Sequence, residues 1–498
     1  MFEPLESPLT AAQAAHLLRR AALRSHPLDV REATGRTATA MVQYLLETPS
    51  PSLLEQNPPW IVKLYPNNAD DVEAFLNDNQ YYVQEVRDQW MQELLRGGIR
   101  ARMELFWHNH FVTDVRKYYY GALAWHYMSV LREYGMGSFP EMLRAITVDG
   151  AMLYYLDGRF NYATSPNENY ARELLELFTM GPVALDGTPN YTQEDIAETA
   201  RALAGYRMNV RVQWKALRDR TWLDRGQKTI FGKTANFDVN SLVNHIMDAR
   251  GRQVAQFLSG ALLREFVHAE PDDLAVELFA DEIMRANFVM RDVLQTLFSS
   301  VYFYDERFRG ARIKSPTEYL VLLADLGVKD PTESDGTLLR RGSGTLGQEL
   351  LSPPNVAGWP GHRAWLDADS MPRRWSIAET LNTSLAMGDR LHSLLKSLIP
   401  PGASHEAVDV ALGLAQILFA IPLESVDIPA VDAPFAGDLI AAPLPDALLQ
   451  GPDYAQHLVK HFLGDIPWYE WYVESPRTPS MVRSYLNMLT ALPAYQLA

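Results

Sequence analysis

The chain has 498 residues, of which 47% are hydrophobic and 21% are charged, a balance typical of a folded globular protein. Its 45 Lys and Arg residues stand against 61 Asp and Glu residues, giving a formal net charge of -16. This charge disfavours nucleic-acid binding, because an acidic protein repels the phosphate backbone. The chain has no cysteine, which excludes disulfide bonds, thiolate metal ligands and thiol nucleophiles.

The first residues lack the features of a secretion signal, since they open acidic and contain no basic start followed by an apolar core. We therefore expect a cytoplasmic protein for the chain as given, and an exported one if a leader has been removed. The longest apolar run, at about residues 410–423, is interrupted by Gln416 and Pro422. It is shorter than the roughly 20 residues that a membrane span requires, so no membrane span is expected.

Helical periodicity dominates the first third of the chain. Apolar residues recur three and four positions apart, as on the buried face of an amphipathic helix. Pro27, Pro49 and the Gly97-Gly98 pair follow three of these segments, and both residue types commonly end helices. The pattern predicts helices over residues 11–23, 37–47, 71–96, 99–114, 120–134 and 139–148.

Strand-like alternation is confined to residues 206–237. Two alternating runs are separated there by Asp224, Arg225 and Gly226, a composition typical of turns, which predicts a small β-hairpin. Helical patterns then resume. They cover residues 239–250, 251–266, 271–286, 289–300, 316–326, 381–398, 406–419, 454–463 and 479–492.

Residues 342–375 are rich in Gly, Pro and Trp, which favours a fixed irregular loop over a helix. A long loop inside a compact body is often functional. The predicted fold class is mainly α: a large multi-helix body with one small β-hairpin insertion and this long loop. We expect residues 1–395 to form the main body and residues 396–498 to form a helical extension packed on it.

The densest group of polar side chains lies where two predicted helices begin. Ser165 and Glu168 have the spacing of a capping box at the first start, and Thr192 and Asp195 have it at the second. Glu168 and Asp195 therefore have a structural explanation as capping acids, which remains an alternative to any functional role.

Glu173 is harder to explain by capping. On a helix from residue 166 to residue 180 it lies at the edge of the apolar face, where a carboxylate must find a partner or shift its pKa. Asn169 lies on the adjacent edge, and Arg172 lies four residues after Glu168. Glu173, Arg172 and Asn169 are therefore candidate catalytic residues.

A second candidate group is the sequence Phe-Trp-His-Asn-His-Phe at residues 106–111. On a helix, His108 and His110 point roughly 200° apart, so they cannot bind one ion together. His110 shares a face with Trp107 and is the inward candidate for catalysis or metal binding. A hydrogen-bonded core histidine is the alternative.

His110, Glu173 and Asp195 would together form a His/carboxylate set suited to a divalent metal ion. The sequence alone does not show that they meet. Four further side chains are candidates for a substrate pocket around this set: Asn167, Asn355, Trp359 and Trp107.

Several segments resemble a large bacterial family known as Domain of Unknown Function 1800. The most specific are Asn-Glu-Asn at residues 167–169 and Pro-Pro-Asn-Val at residues 353–356. The resemblance spans nearly the whole chain and implies one continuous, mainly helical unit. The full set is residues 17–21, 106–111, 151–157, 167–174, 191–196, 232–234, 314–316, 353–360 and 495–496.

The resemblance implies no established activity. Many members of the family look exported and lie beside genes for a sulfatase-like family, which implies a protein partner encoded nearby. This chain departs from the family in lacking an export signal and in having Ala235 where the family has glycine.

Two hypotheses follow for the function. The first is an enzyme in which His110, Glu173 and Asp195 bind a metal or act as acid and base, with Arg172 orienting an anionic group and the Trp359 loop forming the pocket wall. The second is a non-catalytic protein that docks a partner through its Trp- and Pro-rich loop.

Overall fold

The computed structural model describes residues 1–48, 56–326, 333–384, 406–430 and 450–498, together with residues 395 and 448. Helices form most of this part of the chain, which confirms the predicted fold class. In chain order they are α1 (Ala11–Ala22), α2 (Pro27–Ala33), α3 (Ala38–Glu47), α4 (Val72–Arg96), α5 (Ile99–His110), α6 (Val115–Tyr118), α7 (Gly121–Tyr134), α8 (Phe139–Thr147), α9 (Gly150–Tyr155), α10 (Asn169–Glu176), α11 (Gln193–Ala202), α12 (Val239–Phe266), α13 (Asp273–Arg285), α14 (Met290–Ser299), α15 (Pro316–Asp325), α16 (Glu333–Thr345), α17 (Ser370–Ser384), α18 (Glu406–Leu418), α19 (Asp453–Leu463) and α20 (Thr478–Ala491).

Helix boundaries follow the local signals in the sequence. Thr10 caps α1 in a reciprocal capping box with Gln13, and Gly97, at φ 71°, ends α4. The helices predicted at 239–250 and 251–266 are a single helix, α12, with a bend at Arg250. Of the helix predicted at 381–398, residues 385–394 and 396–398 lie outside the described residues.

The strand region at residues 206–237 forms two antiparallel pairs rather than one hairpin. β1 (Tyr206–Arg207) pairs with β2 (Leu217–Arg218), and β3 (Lys228–Ile230) pairs with β4 (Lys233–Ala235). Phe231 and Gly232 join β3 to β4 in a tight turn, whereas β1 and β2 are joined by the longer loop at residues 208–216. Ala235, where the chain departs from the family's glycine, is the last residue of β4.

Helix α5 lies at the centre of the fold, in contact with α1, α3, α4 and α7. It is buried from Ile99 to His108 apart from Arg100, so even its charged residues need partners in the interior. Glu104 has such a partner in Arg132 of α7, with an Oε1–Nε distance of 3.0 Å. Burial raises the pKa of Glu104 to about 7, although hydrogen bonds and charge from Arg132 act to lower it. The last turn of α5 is the element that positions the site described below.

The last helix and the final residues contact elements from earlier in the chain. Helix α20 packs against α17, and Arg20 of α1 donates to the backbone oxygens of Phe266, Val267, Phe308 and Ala498. Buried Lys314 donates to the backbone oxygen of Tyr495 at 2.6 Å. Among the described helices, none combines the length and the apolar character needed to cross a membrane.

Candidate functional site

A cavity of about 290 Å³ lies at the C-terminal end of α5. Its walls come from five separate parts of the chain: the end of α5, Leu177 after α10, the second half of α12 with Ala269 shortly after it, residues 312–315 before α15, and the loop between α16 and α17. Three of the segments that carry the family resemblance, at 106–111, 314–316 and 353–360, contribute to these walls. The cavity is therefore the place where distant motifs meet.

His110 ends α5 and lines the cavity. Its Nε2 lies 3.0 Å from the backbone oxygen of Phe178, and a carbonyl oxygen can only accept, so Nε2 carries the proton. Nδ1 is then an acceptor, and it has no hydrogen-bond partner in the described part of the chain. Burial, with a smaller contribution from Arg264, lowers the pKa of His110 to about 4, so the ring is neutral at pH 7.

Asn109 holds the part of the cavity wall that Trp359 forms. Its Oδ1 accepts from the backbone nitrogen of Trp359 at 2.8 Å, and its Nδ2 donates to the Trp359 oxygen at 3.3 Å. Gly358 passes so close that an added Cβ would overlap Asn109 Oδ1 and lie 2.7 Å from the Asn109 backbone oxygen. Since Gly358 also has a φ of 79°, a conformation that favours glycine, both the close approach and the backbone require glycine at position 358.

The Trp359 ring stacks against the ring of His108. The two ring centroids are 5.5 Å apart with an interplanar angle of 27°, and Trp90 lies 4.9 Å from His108 on its other side. Both His108 and Trp359 are buried, at 0% and 6% exposure. Trp359 is thus a fixed wall of the cavity rather than a mobile surface residue.

The loop that carries Trp359 is anchored along its length. Arg87 of α4 donates to the Leu350 oxygen and to Ser352 Oγ, both at 2.7 Å, and forms an ion pair with Glu349. Arg116 donates to the Pro353 oxygen at 3.1 Å. The irregular stretch predicted at 342–375 is shorter in the structure, because α16 extends to Thr345 and α17 begins at Ser370.

Arg264 of α12 is the cation on the cavity wall that lacks a protein partner. Within the described residues it forms no ion pair or hydrogen bond, and the residue is exposed to solvent. Desolvation by the surrounding protein lowers the pKa of its guanidinium, which nevertheless stays charged at neutral pH. A charged guanidinium without a partner on a cavity wall is suited to hold an anion.

The other charges at the cavity neutralise one another. Arg102 contacts Glu265 at 2.7 Å and Glu318 at 2.8 Å, and Arg312 contacts Glu318 at 3.0 Å and Glu265 at 3.6 Å. Burial acts to raise the pKa of Glu318, but Arg312 and Arg102 outweigh it and lower the pKa to about 2. Two arginines against two carboxylates leave no net charge, so the positive charge of Arg264 is not compensated by this group.

Gln348 and His362 add polar atoms that have no described partner. Gln348 is 4% exposed, and its Oε1 accepts from the Thr317 nitrogen at 2.9 Å, which leaves its amide NH₂ without a hydrogen bond in the described structure. The buried Nδ1 of His362 likewise has none. His362 adopts a φ of 48°, a conformation that a non-glycine residue rarely takes and that often marks a functional position.

The predicted acid Asp195 is engaged in structure. Its Oδ2 accepts from the nitrogen and hydroxyl of Thr192 at 2.9 and 2.8 Å, in the predicted capping box at the start of α11. Its Oδ1 accepts from the Phe231 nitrogen at 2.7 Å, which ties α11 to the β3–β4 turn. Both carboxylate oxygens are therefore used.

The capping box predicted at Ser165 and Glu168 is wrong. Helix α10 begins at Asn169, later than predicted, and Glu168 makes no side-chain cap. Asn167 Oδ1 instead accepts from the Asn169 nitrogen at 2.9 Å. A short polar side chain just ahead of a helix can accept from its first backbone donor in place of a capping box, and Asn167 does so here. The helix also ends early, at Glu176 rather than Met180.

The candidate cation Arg172 is paired at the surface. It contacts Glu168 at 3.2 Å, as the i,i+4 spacing predicts, and Gln193 at 3.2 Å. Gln193 in turn donates to Glu168 at 2.8 Å. Neither Arg172 nor Asn169 lines the cavity.

Glu173 is half-buried on α10 and does not line the cavity. Burial and the neighbouring carboxylate of Glu176 raise its pKa, and Arg172 acts to lower it. Within the described residues Glu173 has no ion pair and no side-chain hydrogen bond, and its candidate role stays a prediction.

His110, Glu173 and Asp195 are not brought together as a ligand set. Nowhere in the described ranges do three or more His, Asp or Glu side chains form a group that could hold a metal ion. The physical reason at Asp195 is that its two oxygens already accept from backbone and hydroxyl donors.

Of the four predicted pocket residues, only Trp359 lines the cavity. Trp359 lines the cavity, whereas Trp107 is fully buried and donates its indole N–H to the Gly135 oxygen at 2.8 Å. Asn355 forms a turn by accepting from the Ala357 nitrogen at 2.9 Å. Asn167 lies at the start of α10, away from the cavity walls.

Sequence reasoning missed Arg264, Gln348 and His362. One signal was present for Arg264, which follows the apolar run Ala261-Leu262-Leu263 on a strongly helical segment. Gln348 and His362 lie in the loop that the sequence marks as a pocket wall, but neither has a spacing that distinguishes it.

The fold and the cavity define a mainly helical protein with a partly polar cavity that carries an unpaired arginine. The chain belongs to the family described as Protein of unknown function (DUF1800), whose model matches residues 16–470. No curated protein and no solved structure matches the chain.

Proposed function

We propose that this protein binds a small organic anion in the cavity, with Arg264 contacting the anionic group and His110 accepting a hydrogen bond beside it. The observation that carries the proposal is the unpaired guanidinium of Arg264 on the wall of a concave site. The nearby carboxylates Glu265 and Glu318 are paired with Arg102 and Arg312, so the exposed Arg264 guanidinium is left to solvent or to a ligand.

The overall charge of the chain makes such a site selective. With a net charge of -16, the surface as a whole repels anions, so an anion is favoured only where a local cation is uncompensated. The polar atoms beside Arg264 are few and fixed, as in pre-formed small-molecule sites.

His110 has the geometry of a proton acceptor, but its pKa of about 4 is far from neutral pH. A general base works best when its pKa is near the operating pH. A bound anion would raise the pKa of His110 by favouring the protonated ring. We therefore propose anion binding as the primary function. Acid–base catalysis by His110 would require a bound anion to raise its pKa first.

Docking of a protein partner through Trp359 has weaker support. The residue is 6% exposed and is packed between Asn109 and His108, so it offers little surface to a partner. Hot-spot residues at interfaces need to be accessible in the free protein.

The test compares Arg264→Met with Arg341→Met, a matched change at an exposed arginine of α16 that does not line the cavity. Isothermal titration with acetate, phosphate and sulfate at constant ionic strength is expected to show saturable binding in the wild type and in Arg341→Met. Arg264→Met should lose at least tenfold in affinity, about 1.4 kcal/mol or more. Its melting temperature should not fall, because no protein partner loses a contact.

Equal binding by Arg264→Met and the wild type, or no saturable binding of any of the three anions, would overturn the proposal. A fall in melting temperature on Arg264→Met without loss of binding would assign the residue a purely structural role.

A further inference from the structure

We infer that the ligand is a hydroxylated ring acid of the sugar-acid class, an inference that rests on the proposed anion-binding function. The juxtaposition that carries it is an aromatic wall beside unpaired hydrogen-bond donors and acceptors in one small cavity.

The aromatic part of the cavity is pre-formed. Trp359 and Trp365 line it together with Phe106 and Phe257. Trp359 cannot turn away readily, because two hydrogen bonds between its backbone and the Asn109 side chain, together with the stacked His108 ring, hold it in place. Rigid aromatic surfaces of this kind favour ligands with a flat or ring-shaped apolar face.

The polar atoms in the cavity are of both kinds. Arg264 and the Gln348 amide offer N–H donors, while Nδ1 of His110 is an acceptor. A hydroxyl group both donates and accepts, so a ligand bearing several hydroxyls can satisfy such a mixture. An acid with a purely hydrocarbon ring would satisfy Arg264 alone and would leave the other two groups desolvated without partners, at a cost of about 1–3 kcal/mol each.

The size of the cavity limits the ligand to about one ring. A volume of about 290 Å³ lies at the lower end of the range for small-molecule sites. It admits a single six-membered ring with its substituents more readily than a chain of rings. Taken with the acid that Arg264 selects, this points to a monosaccharide acid or the terminal acidic ring of a longer saccharide.

The experiment is a set of titrations of the full chain with probes that separate the requirements. The uronates D-glucuronate and D-galacturonate carry ring, hydroxyls and acid; D-glucose lacks the acid, benzoate lacks the hydroxyls, and sulfate lacks the ring. At least one uronate is expected to bind tenfold or more tightly than each of glucose, benzoate and sulfate. Trp365→Ala should weaken uronate binding several-fold and sulfate binding much less, since the half-buried Trp365 offers an aromatic face that a ring can contact and sulfate cannot.

The outcomes separate this inference from the proposed function. If benzoate or sulfate binds through Arg264 as tightly as both uronates, the sugar-acid class is overturned and anion binding stands. If uronates bind but Arg264→Met binds them equally well, or if no probe binds at all, both are overturned. A di-uronate that binds more tightly than the free uronates would identify the ligand as a saccharide end.

Discussion

Two polar regions of this protein differ in what their side chains do. In the segment 156–205 most of the candidate polar side chains bond to other groups of the protein, as Asp195 does to Thr192 and the Phe231 nitrogen. In the cavity, Arg264 and Nδ1 of His110 have no partner within the described ranges. Density of polar residues along a sequence therefore indicates capping and local networks, whereas a binding site is marked by groups that the fold leaves unsatisfied.

Replacing Asp195 by Ala should have the largest effect on stability. The change removes the capping box of α11 and leaves the Phe231 nitrogen without its acceptor, which together should cost about 3 kcal/mol. Chemical denaturation measures the loss. The matched control is Asp272→Ala, which removes a single capping bond to the Ala275 nitrogen and should cost about 1 kcal/mol.

If the segment 156–205 is purely structural and the cavity binds the anion, Asp195→Ala should leave anion affinity unchanged under conditions where the variant is folded. Loss of binding in that variant would mean that the capped segment takes part in the site after all.

Gly358→Ala should disturb the cavity from within. The new Cβ would overlap Asn109, and the φ of 79° is unfavourable for alanine, so we expect a loss of about 2 kcal/mol together with weaker ligand binding. Gly347→Ala is the matched control, since its φ is 92° but nothing lies within 4 Å of an added Cβ. A loss of stability in both variants with binding intact would show that strain, rather than the contact with Asn109, explains Gly358.

His110 should make the stability of the protein depend on pH. Its pKa is lowered from 6.5 to about 4 on folding, so the unfolded chain binds more protons between these values. The contribution of His110 to the free energy of unfolding is therefore fully present above about pH 6.5. It falls as the pH drops toward 4, by on the order of 1–2 kcal/mol at pH 5. Melting temperatures of the wild type and His110→Gln across this pH range measure the pH-dependent contribution of His110 to stability.

The His110→Gln variant should lose that component, and a saturating anion should reduce it in the wild type by favouring the protonated ring. An identical pH profile for the variant and the wild type would contradict the placement of His110 as a neutral, desolvated acceptor.

Arg172→Met should have the smallest effect. The pair with Glu168 is exposed, at 40% and 38% of the two side chains, and exposed pairs contribute less than about 1 kcal/mol. We expect a change in stability within about 0.5 kcal/mol and no change in anion binding. A large loss of binding would restore Arg172 as the cation that the sequence suggests.

Much of the fold could be predicted from local signals, because helix starts and ends depend on neighbouring residues. Thr192 with Asp195 predicts its capping box correctly, and Gly97 predicts the end of α4. The start of α10 could not be predicted, since the side chains of both Asn167 and Ser165 can satisfy the same kind of donor.

The cavity depends on contacts between residues far apart in sequence, which local patterns do not specify. Asn109 meets Trp359 across 250 positions. Arg264 becomes informative only when Glu265 and Glu318 are seen to pair with other arginines. His110 was predicted as a candidate from its own segment, but its partner, the Phe178 oxygen, is a backbone group that no side-chain motif reveals.

The most direct measurement is the position of an anion in crystals of the protein soaked in selenate, located by its anomalous scattering. We predict a selenium peak beside the Arg264 guanidinium in the wild type, placed so that selenate oxygens lie within hydrogen-bonding distance, about 3 Å, of its nitrogens, and no such peak in Arg264→Met. A peak at Arg172 with none at Arg264 would contradict the assignment of the cavity as the anion site.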